Sequence, residues 1–239
     1  MLEAAPNGFE ERETEGFVEL ASYVAPPEQA AMKTALRVWQ PCVEPVAAGW
    51  ETAWQRFHQP VVIEQLWLGP PWASAPARLR AVTIRPGMAF GTGAHATTRL
   101  CIELLLREDR GPLLDLGCGS GVLSVVGAVI GFGPVSAVDA DPVAVEEARE
   151  NADVNGVSID VRQIAVEQLG SSSPRLVVAN LPLDVLRAGL AAIRPTRAIV
   201  SGFQASVGLE ISGYRVLESR EREGWGAALL ASDTRARNH

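Results

Sequence analysis

The sequence predicts an α/β protein with a mostly parallel sheet, preceded by a small α+β module. Its 239 residues allow one large domain with a smaller appendage. From about residue 82 onward, short apolar segments alternate with helical patterns, which is typical of crossover units that place helices on both faces of a parallel sheet. A glycine-rich turn directly follows one of these apolar segments, which is where open sheets bind ligands.

The predicted elements follow one another in an order that suits this sheet. Asp141 and Pro142 have the positions of an N-cap and a first helical residue, which favours a helix start there. Two late segments, 214–219 and 224–232, are predicted to form a terminal antiparallel hairpin on the same sheet. The predicted strands are 113–116, 135–138, 176–179 and 198–200, and the predicted helices are 121–130, 142–154 and 185–193.

Two regions precede the main domain, which we expect to cover residues 81–239. Residues 1–48 are predicted to form a small α+β module with a strand at 17–24 followed by one helix. Residues 49–80 are rich in tryptophan and proline, and we expect them to be a linker that packs on both neighbours. The acidic composition and the few basic residues near these aromatic side chains favour packing over a platform on which nucleic-acid bases stack.

Charge and cysteine content exclude several classes of function. The chain has 21 basic and 28 acidic side chains and a net charge of −7, which is the wrong sign for gripping a phosphate backbone. We therefore expect a basic protein partner and no direct contact with nucleic acid. Three widely spaced cysteines and three scattered histidines give neither a disulfide framework nor the ligand spacing of a metal site.

An uncharged stretch at residues 116–138 is long enough to span a bilayer. Glycines and a proline interrupt it, however, and Asp115 and Asp139 close its two ends, as a buried strand, helix and strand would require. The N-terminal residues show neither the basic start nor the apolar run of a signal peptide. We expect a cytoplasmic chain without membrane association.

The sharpest motif is the turn Asp-Leu-Gly-Cys-Gly-Ser-Gly at residues 115–121. Its glycines allow the backbone to turn tightly and to approach a ligand closely, and the helix after it presents free N–H groups. The dinucleotide-binding fingerprint G-x-G-x-x-G is an alternative interpretation. Here, however, the third glycine, Gly121, comes one place early, and Val122 stands where a small residue is expected.

Two polar residues at predicted strand ends complete the candidate site. Asp139 follows the glycines by about 20 residues, where a carboxylate can accept hydrogen bonds from both ribose hydroxyls of NAD or of another nucleoside. Asn180 ends the predicted strand at 176–179. In an open parallel sheet this position reaches the same crevice as Gly117 and Asp139. Each residue also has a plainer interpretation, as a solvated strand end for Asp139 and as a helix cap for Asn180.

A further motif makes the likeness to a known family specific. Residues 90–98 read Phe-Gly-Thr-Gly-Ala-His-Ala-Thr-Thr. Together with the glycine turn and the Val-Ala-Asn strand end, this loop resembles the PrmA family, the class I S-adenosyl-L-methionine-dependent methyltransferases of ribosomal protein L11. The resemblance extends over roughly residues 8–232. It implies a Rossmann-like seven-stranded methyltransferase sheet, S-adenosyl-L-methionine as cofactor, and a truncated substrate-recognition module over residues 1–48.

The resemblance also assigns roles to individual residues. Those that would contact the cofactor are Thr98, Gly117, Gly119, Asp139 and Asn180, with Phe90 near it in a loop that closes as a lid. Asn180 would in addition accept a hydrogen bond from the acceptor nitrogen, as the Asn/Asp-Pro-Pro-Tyr loop of amino-methylating enzymes does. Here leucines replace one proline and the aromatic residue of that loop. His95 is interpreted as structural, and neither a catalytic dyad nor a metal is expected.

These inferences predict an N-methyltransferase that acts, as a monomer, on lysine side chains or an N-terminal amine of a ribosomal protein. A related enzyme for another protein or for a small-molecule amine is the alternative. From other classes, an NAD-dependent oxidoreductase and a cofactor-binding module without catalysis stay open. Tight binding of S-adenosylhomocysteine separates the methyltransferases from the oxidoreductase, and turnover separates the enzymes from the binding module.

Overall fold

A computed structural model describes residues 10–14, 17–21, 29–43, 58–87, 89, 91, 93–170 and 174–233. Contacts within the chain divide it into two units, residues 1–53 and residues 54–239. The sequence placed the end of the first module at residue 48 and the start of the main domain at residue 81. The second unit begins at residue 54, near the start of the segment 49–80 that was expected to be a linker.

The described part of the first unit contains a strand pair and a helix. Strands β1 (Glu10–Thr14) and β2 (Phe17–Ala21) pair antiparallel, and helix α1 (Gln29–Ala35) follows them. The predicted strand is present over Phe17–Ala21 and the predicted helix over Gln29–Ala35, and residues 22–28 lie outside the described residues. Strand β1 was not predicted because its residues, Glu-Glu-Arg-Glu-Thr, carry no apolar pattern.

A three-stranded sheet opens the second unit. It consists of β3 (Val61–Ile63), β4 (Leu66–Gly69) and β5 (Arg80–Thr83), with β3 antiparallel and β5 parallel to β4. All four residues of β4 are buried, and Leu66 and Leu68 belong to the same core cluster as the helix that follows this sheet. Residues 61–69, which lie within the segment expected to be a linker, thus form two strands of this domain, and residues 49–57 lie outside the described residues.

A seven-stranded sheet forms the rest of the second unit, as predicted. Strand β12 is antiparallel to both of its neighbours, and the other neighbouring strands are parallel. The order across the sheet is β11-β12-β10-β9-β6-β7-β8. The elements along the chain are α2 (Ala96–Leu105), β6 (Leu113–Leu116), α3 (Val122–Val129), β7 (Val135–Asp139), α4 (Pro142–Val154), β8 (Asp160–Gln163), β9 (Leu176–Asn180), α5 (Leu183–Ile193), β10 (Arg197–Gln204), β11 (Tyr214–Arg222) and β12 (Trp225–Ser232).

Strand β8 belongs to this sheet but was not predicted from the sequence. It is an edge strand of four residues, and only Val161 among them is buried, so the hydrophobic pattern is too short to detect. The central strands behave differently. In β9, Val178 packs into the core cluster that contains α2 and α3, and its neighbour Val177 packs into the cluster that contains α5. Such burial on both faces explains why the strand is continuously apolar.

The strand order creates a crevice in the middle of the sheet. From β6 the chain proceeds outward to β7 and β8, and it then crosses back to place β9 on the opposite side of β6. At such a switch point the loops beyond the carboxyl ends of β6 and β9 diverge, and open α/β sheets bind their ligands there. Among the described residues, no helix is long and apolar enough to cross a membrane.

Candidate active site

A cavity of about 480 Å³ opens at the carboxyl ends of β6, β7 and β9. It brings together five of the six residues that were predicted to contact a cofactor, whose roles stay predictions. The sixth, Phe90, lies outside the described residues. The predicted residues that line the cavity are Thr98, Gly117, Gly119, Asp139 and Asn180, and the cavity also contacts His95, Thr97, Cys118 and Trp225.

The glycine turn forms the floor of the cavity between β6 and α3. Gly117, Gly119 and Gly121 all have positive φ angles, of 70°, 53° and 76°, which glycine adopts without steric cost. A Cβ atom on Gly117 would collide with the side chain of Leu181. The N–H groups of Gly117 and Cys118 both donate to the carbonyl oxygen of Val138, at 2.9 and 3.0 Å, so the turn is fixed to the end of β7.

Asp139 stands at the end of β7, and the backbone holds its carboxylate in one orientation. Oδ2 accepts from the N–H of Gly119 at 2.9 Å, and Oδ1 accepts from the N–H of Asp141 at 3.0 Å. An ionised carboxylate offers about four acceptor positions, so each oxygen keeps one for a ligand. Asp141 itself caps α4, as predicted, because its Oδ1 accepts from the N–H of Val143 at 2.8 Å. A pair of adjacent hydroxyls fits the remaining positions on Asp139.

Asn180 stands at the end of β9 on the opposite side of the cavity. Its Nδ2 donates to the hydroxyl of Thr97 at 3.0 Å and lies 3.5 Å from the hydroxyl of Thr98. No described residue donates a hydrogen bond to its Oδ1. The helix-cap interpretation is wrong, because Pro182 occupies the N-cap of α5. The amide oxygen of Asn180 is thus an acceptor available to a ligand.

The first turn of α2 supplies the partners of Asn180. Thr97 and Thr98 are buried, with exposures of 2% and 1%. His95 is the N-cap of α2, and its Nδ1 accepts from the N–H of Thr97 at 3.4 Å and lies 2.7 Å from the Thr97 hydroxyl oxygen. The His95 ring packs edge-on against Trp225, with ring centroids 5.1 Å apart. Neither the Asn180–Thr97 hydrogen bond nor the His95–Trp225 contact was predicted, since each joins separate elements.

Two further charged or polarisable groups lie near the turn. Asp115 is 1% exposed, and its Oδ2 accepts from the N–H of Ser124 at 3.0 Å and from the Ser124 hydroxyl. Burial raises the pKa of Asp115 to about 7, against the opposing effect of these bonds. Burial also raises the pKa of the Cys118 thiol, with the nearby carboxylates of Asp115 and Asp139 adding to the effect. A protonated thiol is a poor nucleophile, so Cys118 is not suited to covalent catalysis.

Sequence reasoning missed the residues that anchor the loop before α2. The carboxylate of Glu147, on α4, accepts from the N–H of Ala89, with Oε2 at 3.1 Å. The hydroxyl of Ser120 donates to the carbonyl oxygen of Gly91 at 2.5 Å. A glutamate in the middle of an amphipathic helix resembles any solvated helical residue, and Ser120 looked like part of the turn. The loop is therefore attached to both the glycine turn and α4.

A second concavity, of about 600 Å³, lies where α5 and the 209–212 segment meet β11 and β12. Arg187 and Glu210 are the charged side chains of its described lining, and the Nε of Arg187 donates to the backbone oxygen of Glu210 at 3.3 Å. Its described lining brings together fewer polar side chains than the cavity of about 480 Å³ at the switch point. The cavity at the switch point is therefore the better candidate for an active site. Within the described ranges, no three His, Cys, Asp or Glu side chains are grouped so that they could hold a metal ion.

Comparisons with known proteins find similarity to ribosomal protein L11 methyltransferases. A family model described as ribosomal protein L11 methyltransferase (PrmA) matches residues 15–224. The ribosomal protein L11 methyltransferase of Symbiobacterium thermophilum is 36% identical over 196 residues, which cover 75% of this chain and 64% of that protein. The protein of the same name from Aquifex aeolicus is 34% identical over 198 residues, which cover 79% and 78% of the two chains.

A solved structure is similar in fold. The crystal structure of ribosomal protein L11 methylase from Lactobacillus delbrueckii subsp. bulgaricus matches 74% of this chain and 100% of that chain, with a TM-score of 0.64 and 20% identity. The match to the Symbiobacterium relative spans just under two thirds of that protein's length, at 64%, and the match to a Dechloromonas aromatica relative spans 54%.

Proposed function

Since the chain belongs to the PrmA family of ribosomal protein L11 methyltransferases, we propose that it uses S-adenosyl-L-methionine to methylate amines of a ribosomal protein. The main support for the proposal is that two polar side chains, Asp139 and Asn180, line the same cavity. Asp139 offers acceptor positions that suit a ribose, and Asn180 offers an amide oxygen that suits an amine. A related enzyme for another protein or small-molecule amine is the second candidate, because the same two groups would serve it.

The residues around the cavity fit a nucleoside cofactor. The carboxylate of Asp139 is held by two N–H groups and keeps an acceptor position on each oxygen, which matches the 2′ and 3′ hydroxyls of a ribose. The positive φ angles of Gly117 and Gly119 bring the backbone of the turn to the cavity wall, where the rest of the cofactor can approach it. When bound, S-adenosyl-L-methionine supplies a methyl carbon that an amine nitrogen can attack in line.

Asn180 contributes by orienting the acceptor nitrogen. A lysine amine with a pKa of about 10.4 must lose its proton before it reacts, which costs about 4 kcal/mol near pH 7.5. The neutral amine still has N–H groups, and the Oδ1 of Asn180 can accept from one of them while the nitrogen lone pair stays free. Positioning of this kind lowers the barrier without a catalytic dyad. The protonated thiol of Cys118 and the buried Asp115 need take no part.

The substrate is proposed to be a basic protein. The net charge of −7 steers cationic partners towards the chain and repels nucleic acid. We propose that residues 1–48, which include β1, β2 and α1, contribute to substrate recognition. The names of the relatives identify ribosomal protein L11 as the first substrate to test.

The test is a methyl-transfer assay with labelled S-adenosyl-L-methionine and purified ribosomal protein L11 from the same host. We expect label on lysine side chains or on the N-terminal amine, located by peptide mass spectrometry. Excess S-adenosylhomocysteine should suppress the label, and Asn180→Leu should reduce it. Label on a small-molecule amine but not on L11 would favour the second candidate. Absence of label from every amine offered, or label on a carboxyl group or on RNA, would contradict the proposal.

A further inference from the structure

We infer that His95 and Thr97 are positioning residues that fix which end of the Asn180 amide faces the acceptor amine. The inference rests on the proposed function, in which the Asn180 oxygen receives that amine. An asparagine side chain is nearly symmetrical in shape, but one end accepts hydrogen bonds and the other donates them. Only the oxygen-outward orientation helps a neutral amine, so something in the protein must select it.

The selection begins at His95. Its Nδ1 lies 3.4 Å from the backbone nitrogen of Thr97, and a backbone N–H can only donate. This contact assigns the lone pair to Nδ1 and the ring hydrogen to Nε2. The same Nδ1 lies 2.7 Å from the hydroxyl oxygen of Thr97. Since Nδ1 accepts, the single hydrogen of the Thr97 hydroxyl points to His95.

The second step is at Thr97. With its hydrogen committed to His95, the hydroxyl oxygen can only accept from its other neighbour. That neighbour is the Asn180 side chain at 3.0 Å, so the NH₂ end must face Thr97 and the oxygen must face the cavity. A reversed amide would place Oδ1 against an oxygen lone pair. Thr97 and Thr98 are almost completely buried, so water cannot relieve that contact.

Without His95 the selection is lost. The Thr97 hydroxyl could then rotate and donate to the Asn180 oxygen, and both orientations of the amide would have a partner. In the reversed orientation the NH₂ group would face the N–H groups of the acceptor amine, which is unfavourable. His95 therefore acts through Thr97, and the edge-on contact with Trp225 at 5.1 Å helps to hold its ring in place.

A double-mutant cycle separates this role from simple helix capping. The variants are His95→Ala, Asn180→Asp and the double variant, each measured for methyl transfer at saturating cofactor and substrate. In the parent, His95→Ala should lower kcat by about twofold or more, since at most about half of the molecules would keep the oxygen-outward amide if both orientations have a partner. The carboxylate introduced by Asn180→Asp has no donor end, so it is repelled by Thr97 while His95 holds the hydroxyl hydrogen. Removal of His95 frees that hydrogen, and the double variant should be at least as active as Asn180→Asp.

A cap alone would give a different result. If His95 only stabilised α2, its removal would cost the same factor in the parent and in the Asn180→Asp variant, and equal factors would overturn the inference. A second measurement does not depend on catalysis. The side-chain NH₂ signals of Asn180, identified in nuclear magnetic resonance spectra by their loss in Asn180→Asp, should exchange their hydrogens faster in His95→Ala than in the parent. Unchanged exchange would also overturn the inference.

The two proposals fail in distinguishable ways. If the parent transfers no methyl group to any amine, the proposed function fails, and the exchange of the Asn180 amide still tests the hydrogen-bond chain. If the parent is active and the cycle is additive, the function stands and the positioning role does not. Thermal unfolding of each variant with bound S-adenosylhomocysteine confirms that it is folded.

Discussion

Replacement of Asp115 by asparagine should remove a large pH dependence from the stability of the second unit. The carboxyl group is 1% exposed, its Oδ1 has no hydrogen-bond partner among the described residues, and burial raises its pKa from 3.8 to about 7. The folded protein thus binds a proton at Asp115 more tightly than the unfolded chain does. The contribution of Asp115 to the free energy of unfolding is therefore full below the unfolded pKa and is lost as the pH rises through the folded pKa.

The size of the effect follows from the shift. A change of about three pKa units corresponds to about 4 kcal/mol between the two ends of the titration, of which about 3 kcal/mol is lost between about pH 5 and pH 8. Asparagine keeps an acceptor for the N–H of Ser124 but places an NH₂ group where Oδ1 has no described partner, at a cost of about 1–3 kcal/mol. At about pH 8, Asp115→Asn should be more stable than the parent by about 1–3 kcal/mol.

Urea unfolding at the two pH values measures this directly. The parent should lose stability from about pH 5 to pH 8, and Asp115→Asn should change much less. A matched control is Asp160→Asn, because the Asp160 side chain is exposed at the start of β8 and should leave the pH dependence as it is in the parent. Equal losses of stability in the parent and in Asp115→Asn would refute the reasoning.

Three further predictions concern the site. Asn180→Leu should lower methyl transfer by about tenfold or more, about 1.4 kcal/mol, while the affinity for S-adenosylhomocysteine falls less. Normal turnover in this variant would show that Asn180 has no role in catalysis. Bound S-adenosylhomocysteine should slow hydrogen exchange in residues 88–98 if the loop closes over it, and identical exchange would contradict a lid. Glu147→Gln should speed hydrogen exchange at the N–H of Ala89 in the free protein, because a neutral amide oxygen holds this N–H less strongly than the carboxylate at 3.1 Å does. An unchanged exchange rate would show that Glu147 does not anchor the loop.

The predictable part of the structure is the part that local rules determine. The strand β6, the glycine turn and the start of α3 are adjacent in the chain, and each requires a residue type that the sequence shows. Asp139 and Asn180 could be placed because the carboxyl ends of parallel strands meet at one edge of a sheet. Strands β1 and β8 were not predicted, because their sequences are mostly charged or polar and show no alternation of apolar and polar residues.

Contacts between distant elements account for most of what sequence reasoning missed. Asn180 is 83 residues from its partner Thr97, and Glu147 is 58 residues from Ala89. No local pattern indicates that these side chains meet. His95 was interpreted as structural because no acidic residue stands near it in the chain, whereas its partner in space is a hydroxyl.

Calorimetric titration with S-adenosylhomocysteine tests most directly the claim that the cavity at the switch point binds the cofactor through Asp139. The parent should bind, and Asp139→Ala should bind more weakly by about 1.5–3 kcal/mol, the range for a lost hydrogen bond to a charged group. Asp160→Ala, at the exposed acid of β8, should bind as the parent does. Equal affinity of the parent and Asp139→Ala, or no binding by the parent, would contradict the account.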